Sequence, residues 1–378
     1  MLNEFLTPVS EELFSLASQL DDFSIGAHLQ FHTELQENAL VILGVKENRG
    51  GFLDNEVDFS LDGIRTQFYQ LKKGNWHLPV FDLGDLNPGL TLEDTYYAFE
   101  QIQREVLQAK AHLIILGGTA DLAYGQYRVF DSITHQVSLS SIDNRFRLGN
   151  DAEELSIHNY LSKIITIEPH QLFDYHQMGY QTYFVAQEEL DLMEQLNFDV
   201  KRLGKLMESI EEAEPELRHS DLVVLNLEAI QSSDFQSANT LSPNGFSSRE
   251  ICALVRYAGI NNKVRSLGVY NYKPKHLLSD DLLVAEMMWY FIEGKNQAPM
   301  ALNFEDQTSY QTYYVQLDER SLIFYHDIQA QQWWLELNEM EEIEMQGKQI
   351  TPCSLKDYEN ALKGKIPDRW WKSYKKLY

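Results

Sequence analysis

The chain has 378 residues, 44% of them hydrophobic and 23% charged, which suits a folded globular protein and excludes a disordered or collagen-like one. With 57 acidic residues against 31 basic ones the net charge is -26, a field that repels polyphosphate and argues against nucleic-acid binding by the bulk surface. Two cysteines, Cys252 and Cys353, cannot make a disulfide framework.

In chain order, residues 1–35 read as a helical extension, with Ser10 as cap and Glu11 and Glu12 in the first turn. Residues 39–45 form a buried apolar strand, 62–71 a helix and 80–85 a second strand. A helix over 91–109 is capped by Thr91 with Asp94 three residues on. Strands are expected at 112–116, 136–142, 161–167, 182–185, 222–227 and 264–270. Helices are expected at 247–258 and 280–292, the latter stopped by Gly294. Short apolar strands alternating with helices imply crossover units and a mostly parallel sheet, with ligands at the carboxyl ends of the strands. Composition shifts near residue 300: 310–317 and 321–326 read as a hairpin turning at Asp318-Glu319-Arg320, then come Trp333-Trp334 and an acidic run over 336–344. The tail from Lys363 to Tyr378 holds six basic residues and one acid. The expected division is therefore 1–35, 36–300 and 301–378.

The segments just after the strands carry the chemistry. They read Gly117-Gly118-Thr119-Ala120-Asp121, Asp143-Asn144-Arg145-Phe146-Arg147 and Leu225-Asn226-Leu227-Glu228. With Asp82-Leu83-Gly84-Asp85, Asp62-Gly63-Ile64-Arg65, Gly179-Tyr180-Gln181 and Tyr270-Asn271-Tyr272-Lys273-Pro274 they make seven segments in order. Together they resemble the ureohydrolase superfamily of arginase, agmatinase and formimidoylglutamase. The resemblance implies a three-layer α/β/α sandwich over about residues 36–300. It also implies hydrolysis of a guanidino or formimino carbon by water held between two Mn²⁺ ions on two His and four Asp.

The ligand positions depart from that pattern. Ala120 stands at a His, Arg145 and Arg147 at a His and an Asp, Asn226 at an Asp, and Glu228 at an Asp; only Asp143 matches. Asn271 stands at the substrate-binding Glu of part of the family. Two carboxylates and two guanidinia already balance, and guanidinium has no lone pair for a cation. The expectation is thus a degenerate site with no cofactor, in which arginines fill the place of the metals, manganese being the alternative. The residues leave three readings open: an ion-pair cluster in a non-catalytic scaffold or adaptor, a surviving metal-dependent C–N hydrolase, and a small-anion sensor on Arg145 and Arg147.

Glu168, His170, Asp174 and His176 are a second group with metal-like composition; the reading preferred here is solvated or core histidines in a connection before Gly179. His158 matches a proton-handling His of some relatives, and Cys252 and Cys353 have no activating motif. In the tail, Arg369, Trp370, Trp371, Lys372 and Tyr374 are of the types that dominate binding hot spots. They suit either an arm folded on its own acidic body or a dock for a protein partner, one setting being the cytoplasmic face of a membrane complex. No apolar run approaches the ~20 residues of a membrane span. The opening residues lack secretion-signal character, so the expected location is the cytoplasm.

Overall fold

Nine strands form one sheet in a computed structural model that describes residues 2–51, 59–131, 136–300, 302–304, 306–317, 320–337 and 349–377. They are β1 (Leu6–Thr7), β2 (Leu40–Val45), β3 (Val80–Leu86), β4 (His112–Leu116), β5 (Val137–Ile142), β6 (Leu172–Tyr180), β7 (Asp199–Arg202), β8 (Leu222–Asn226) and β9 (Ser266–Tyr270). The spatial order is β1-β3-β2-β4-β9-β8-β5-β6-β7, all pairs parallel except β1 with β3.

Continuous apolar runs dictate this arrangement, because a parallel strand is covered on both faces. Alternate side chains of one strand enter different cores. Leu40, Ile42, Ile114, Leu116, Val223 and Leu225 pack with helices Asp62–Gln70, Ser248–Ile260 and Leu278–Gln297. Val41, Leu43, Leu113, Ile115, Leu222 and Val224 pack on the other face with Leu92–Gln108, Leu122–Asp131 and Tyr160–Thr166. The result is the expected three-layer sandwich. The Thr91 capping box is present, Thr91 Oγ1 accepting from Asp94 N at 3.2 Å and Asp94 Oδ2 from Thr91 N at 2.9 Å.

Several expectations are corrected. Residues 161–167 are the helix Tyr160–Thr166, burying Tyr160, Leu161 and Ile164 at helical spacing, and Thr182–Phe184 is a 3-10 turn rather than a strand. The stretch read as a connection before Gly179 is β6. Gly294 does not stop its helix, which runs to Gln297; a Cβ there would lie 2.8 Å from Arg256 O, so this glycine lets two helices touch. The N-terminal extension is not only helical, since β1 pairs with Leu86 and Asp85 and covers an edge of the sheet. Gly84 allows that pairing: its φ is +81°, and a Cβ would sit 2.1 Å from Thr7 O.

The expected hairpin is part of a four-stranded antiparallel sheet, β10 (Gln311–Gln316), β11 (Ser321–Asp327), β12 (Gln332–Glu336) and β13 (Ile350–Cys353). Asp318, Glu319, the acidic run beyond 337 and Tyr378 lie outside the described residues. Two helices follow, Leu355–Leu362 and Asp368–Leu377. This module joins the main body through Arg218, whose Nη2 donates to Trp333 O (2.9 Å) and Cys353 O (3.1 Å) while its guanidinium lies over the Trp334 ring at 4.4 Å. Among the described residues no helix is long and apolar enough to cross a membrane.

Candidate functional site

The adjacent strands β4, β9, β8 and β5 end side by side, and their next residues converge. Arg147 adopts φ +62°, which turns its side chain back over β5. Its Nε donates to Asp143 Oδ2 at 2.8 Å, and its Nη2 to Asp143 Oδ1 at 3.1 Å and Glu228 Oε2 at 2.6 Å. Asn226 Nδ2 donates to Asp143 Oδ2 at 2.9 Å. Its Oδ1 accepts from Glu228 N at 3.0 Å and from Asn271 Nδ2 at 3.1 Å. Asn271 Oδ1 in turn accepts from Ala120 N at 2.9 Å, and Glu228 Oε1 from Thr240 N at 3.1 Å.

Five of the six ligand positions, Ala120, Asp143, Arg147, Asn226 and Glu228, therefore meet in one buried network with the substrate position Asn271. The Arg145 guanidinium does not join it, contrary to the expectation that both arginines fill the metal place; only the backbone N of Arg145 donates to Asp143 Oδ1, at 3.4 Å. Its Nε donates to Asn144 Oδ1 at 3.1 Å, and its guanidinium lies over Phe184 at 4.7 Å, half-buried. An anion sensor needing both guanidinia at one point finds them on different partners.

Burial works to lower the Arg147 pKa, but the charges of Asp143 and Glu228 more than offset it and hold the guanidinium above its ordinary value. His158 lies nearby and exposed; partial desolvation, then Arg147 and Arg145, push its imidazole below the ordinary range. Sequence reasoning missed Asn144, whose Nδ2 donates to Glu228 O at 2.9 Å, and the backbone of Thr240. Only the place of Asn144 between Asp143 and Arg145 could have suggested the first.

A profile of the arginase family matches residues 38–293. The chain belongs to the arginase family. Among solved structures it resembles formimidoylglutamase from Bacillus subtilis at 14% identity, with TM-score 0.67 over 75% of this chain and 95% of that one. Formiminoglutamase from Trypanosoma cruzi with Mn²⁺ gives 16%, TM-score 0.63, and 74% and 100% coverage. Proclavaminate amidino hydrolase from Streptomyces clavuligerus gives 16%, TM-score 0.61, and 74% and 99%. These likenesses show the fold. A search of curated proteins by sequence returns no match.

The family implies a manganese pair, and the converged positions do not fit one. Ala120 has no donor, the Asn226 amide is committed on both atoms, and Asp143 and Glu228 are engaged on all four oxygens. A cation would have to displace the Arg147 guanidinium from both carboxylates. The expectation of no cofactor for the whole chain nevertheless falls. Its structural neighbours include Mn²⁺-bearing formiminoglutamases, and the chain assembles a partial metal site elsewhere, from Asp174, His176 and Asp199. Of the metal-like run, Glu168 and His170 stay exposed before β6, while Asp174 and His176 are buried within it.

The tail residues are largely engaged within the chain. Arg369 pairs with Glu216 (3.3 Å) and Asp357 (2.7 Å), and Lys372 with Asp199 (2.7 Å). Trp370 is buried with its Nε1 donating to Glu336 O at 3.0 Å, and Tyr374 stacks on it at 4.9 Å. Trp371 keeps 38% exposure. Cys252 and Cys353 are buried free thiols, and burial pushes the Cys252 thiol up to about 12.

Proposed function

We propose that this arginase-family chain is non-catalytic and acts as a scaffold or adaptor through contacts with a protein partner. The observation that carries the reading is the Arg147 guanidinium held between Asp143 and Glu228 in a network closed to solvent. Ala120, Asp143, Asn226 and Asn271 are 0% exposed, Glu228 1% and Arg147 3%. A hydrolase needs a cleft where substrate and attacking water meet an unengaged base. Every oxygen of both carboxylates here already accepts a hydrogen bond.

The contact surface proposed is the C-terminal module, where Trp371, Leu355 and Leu362 remain exposed on two helices. The partner is a protein in the cytoplasm, a membrane complex's cytoplasmic face being one setting. The alternative, a formimidoylglutamase-like metal-dependent C–N hydrolase, draws support from the Mn²⁺-bearing structural neighbours. One assay separates them. Purified chain supplied with Mn²⁺ is given arginine, agmatine and N-formiminoglutamate, and urea and formamide are measured. The scaffold reading expects no release above the protein-free control; turnover of any of the three overturns it. Affinity purification of the chain from its host reads the partner.

A further inference from the structure

Three donor side chains meet where the edge strand β7 begins alongside β6. Asp174 and His176 are two residues apart on β6 and so share a face. Asp199 opens β7 directly beside His176. One donor atom from each residue lies within 4.8 Å of the others.

An independent observation points to a ligand. His176 is 3% exposed, and neither ring nitrogen has a hydrogen-bond partner among the described residues. Nε2 lies 3.7 Å from Asp174 Oδ2 and Nδ1 3.7 Å from Asp199 Oδ2. Both separations are too long for hydrogen bonds. A single ion uses one ring nitrogen, whose own carboxylate at 3.7 Å lies close to the roughly 3.4 Å between two donors about 2.1 Å from one ion at a tetrahedral angle; the other carboxylate joins from within 4.8 Å.

The remaining carboxylate oxygens explain what holds the place. Lys376 Nζ lies 2.6 Å from Asp174 Oδ1, and Lys372 Nζ lies 2.7 Å from Asp199 Oδ1. Both lysines come from the helix Asp368–Leu377. With that helix seated, the two carboxylates are balanced by two ammonium groups. With it lifted, they match the charge of one divalent cation.

The geometry points to a divalent-cation site formed by Asp174, His176 and Asp199, for which the cation and the C-terminal helix compete. One imidazole nitrogen and two carboxylate oxygens, completed by water, suit a first-row ion such as Zn²⁺ or Mn²⁺. The site is separate from the converged positions of Asp143 and Glu228 and needs no hydrolytic activity.

The test uses the full chain and Zn²⁺ in isothermal titration. Lys372→Met with Lys376→Met removes both ammonium groups but keeps stem length. The double variant is expected to bind one Zn²⁺ at least tenfold tighter than the wild type, and His176→Gln in that background is expected to remove the gain. Equal affinity of wild type and double variant, or a gain that survives His176→Gln, overturns the proposal. Should the double variant fail to fold, hydrogen exchange of the wild type decides. Saturating Zn²⁺ must speed exchange across residues 368–377, and His176→Gln must abolish that effect; unchanged exchange overturns the proposal.

Discussion

Removing the Arg147 guanidinium is the most direct test of how the converged strand ends are held together. Its three hydrogen bonds, at 2.8, 3.1 and 2.6 Å, are the only contacts with a cationic side chain that Asp143 and Glu228 make among the described residues. Because Arg147 sits at φ +62°, alanine would add backbone strain of its own, so Arg147→Gly is the cleaner perturbation. It leaves two carboxylates buried without a counter-charge, and breaking a buried pair in this way costs about 3–5 kcal/mol. An unfolding entropy of about 2.1 cal/mol/K per residue, over 378 residues, comes to roughly 0.8 kcal/mol/K, so a loss of about 4 kcal/mol lowers Tm by about 5 °C. Calorimetry of the full chain measures it. Adding Asp143→Asn and Glu228→Gln removes the orphaned charges, so the triple variant should melt above Arg147→Gly. A Tm for Arg147→Gly within about 1 °C of wild type, or a triple variant that melts lower still, would refute the argument that the guanidinium neutralises this network.

Three further outcomes are expected. Gly84→Ala forces a Cβ into Thr7 O at a positive φ and should cost about 2 kcal/mol or more, read by urea unfolding; an unchanged midpoint would mean β1 is not seated there. Trp370→Ala empties a buried site in the C-terminal core and should cost about 3–5 kcal/mol, with faster tryptic cleavage at Lys372; equal protection would contradict it. Burial, then Lys295 and Arg265, push His112 down to about 2 from an ordinary value of 6.5. The unfolded chain therefore takes up a proton that the folded one refuses, and stability falls as pH drops below 6.5. From pH 7 to pH 5 this one residue removes about 2 kcal/mol. His112→Gln should flatten the acid slope of urea midpoints by that amount; an identical slope would remove His112 as its source.

The central sheet was legible because its strands are apolar on both faces, as in β2 and β4, and short unbroken apolar runs bounded by turn residues mark them. The network of Asp143, Arg147 and Glu228 was legible through the order of the segments and their charges. Arg145 was misread because alternation after β5 predicts the same side for Arg145 and Arg147, whereas the positive φ of Arg147 breaks the alternation. Residues 161–167 were taken for a strand because Ile164-Ile165-Thr166-Ile167 is β-branched, yet tertiary packing of Tyr160, Leu161 and Ile164 made a helix. β6 escaped notice for the opposite reason. Its buried positions hold Asp174, His176 and Gln177, which look like a solvated loop. Gln177 Nε2 donates to Asp143 O at 2.8 Å, and Asp174 is met by Lys376 from some two hundred residues away. No local window contains those partners.

Arg218 gives the composition break near residue 300 a different meaning. A chain cut there would leave a guanidinium stripped of the Trp333 and Cys353 carbonyls and of the indole above it, on a helix wedged against the main sheet. The appendage is thus a keystone more than an ornament: the two parts should melt in one cooperative step, and neither half expressed by itself should match the intact protein for solubility.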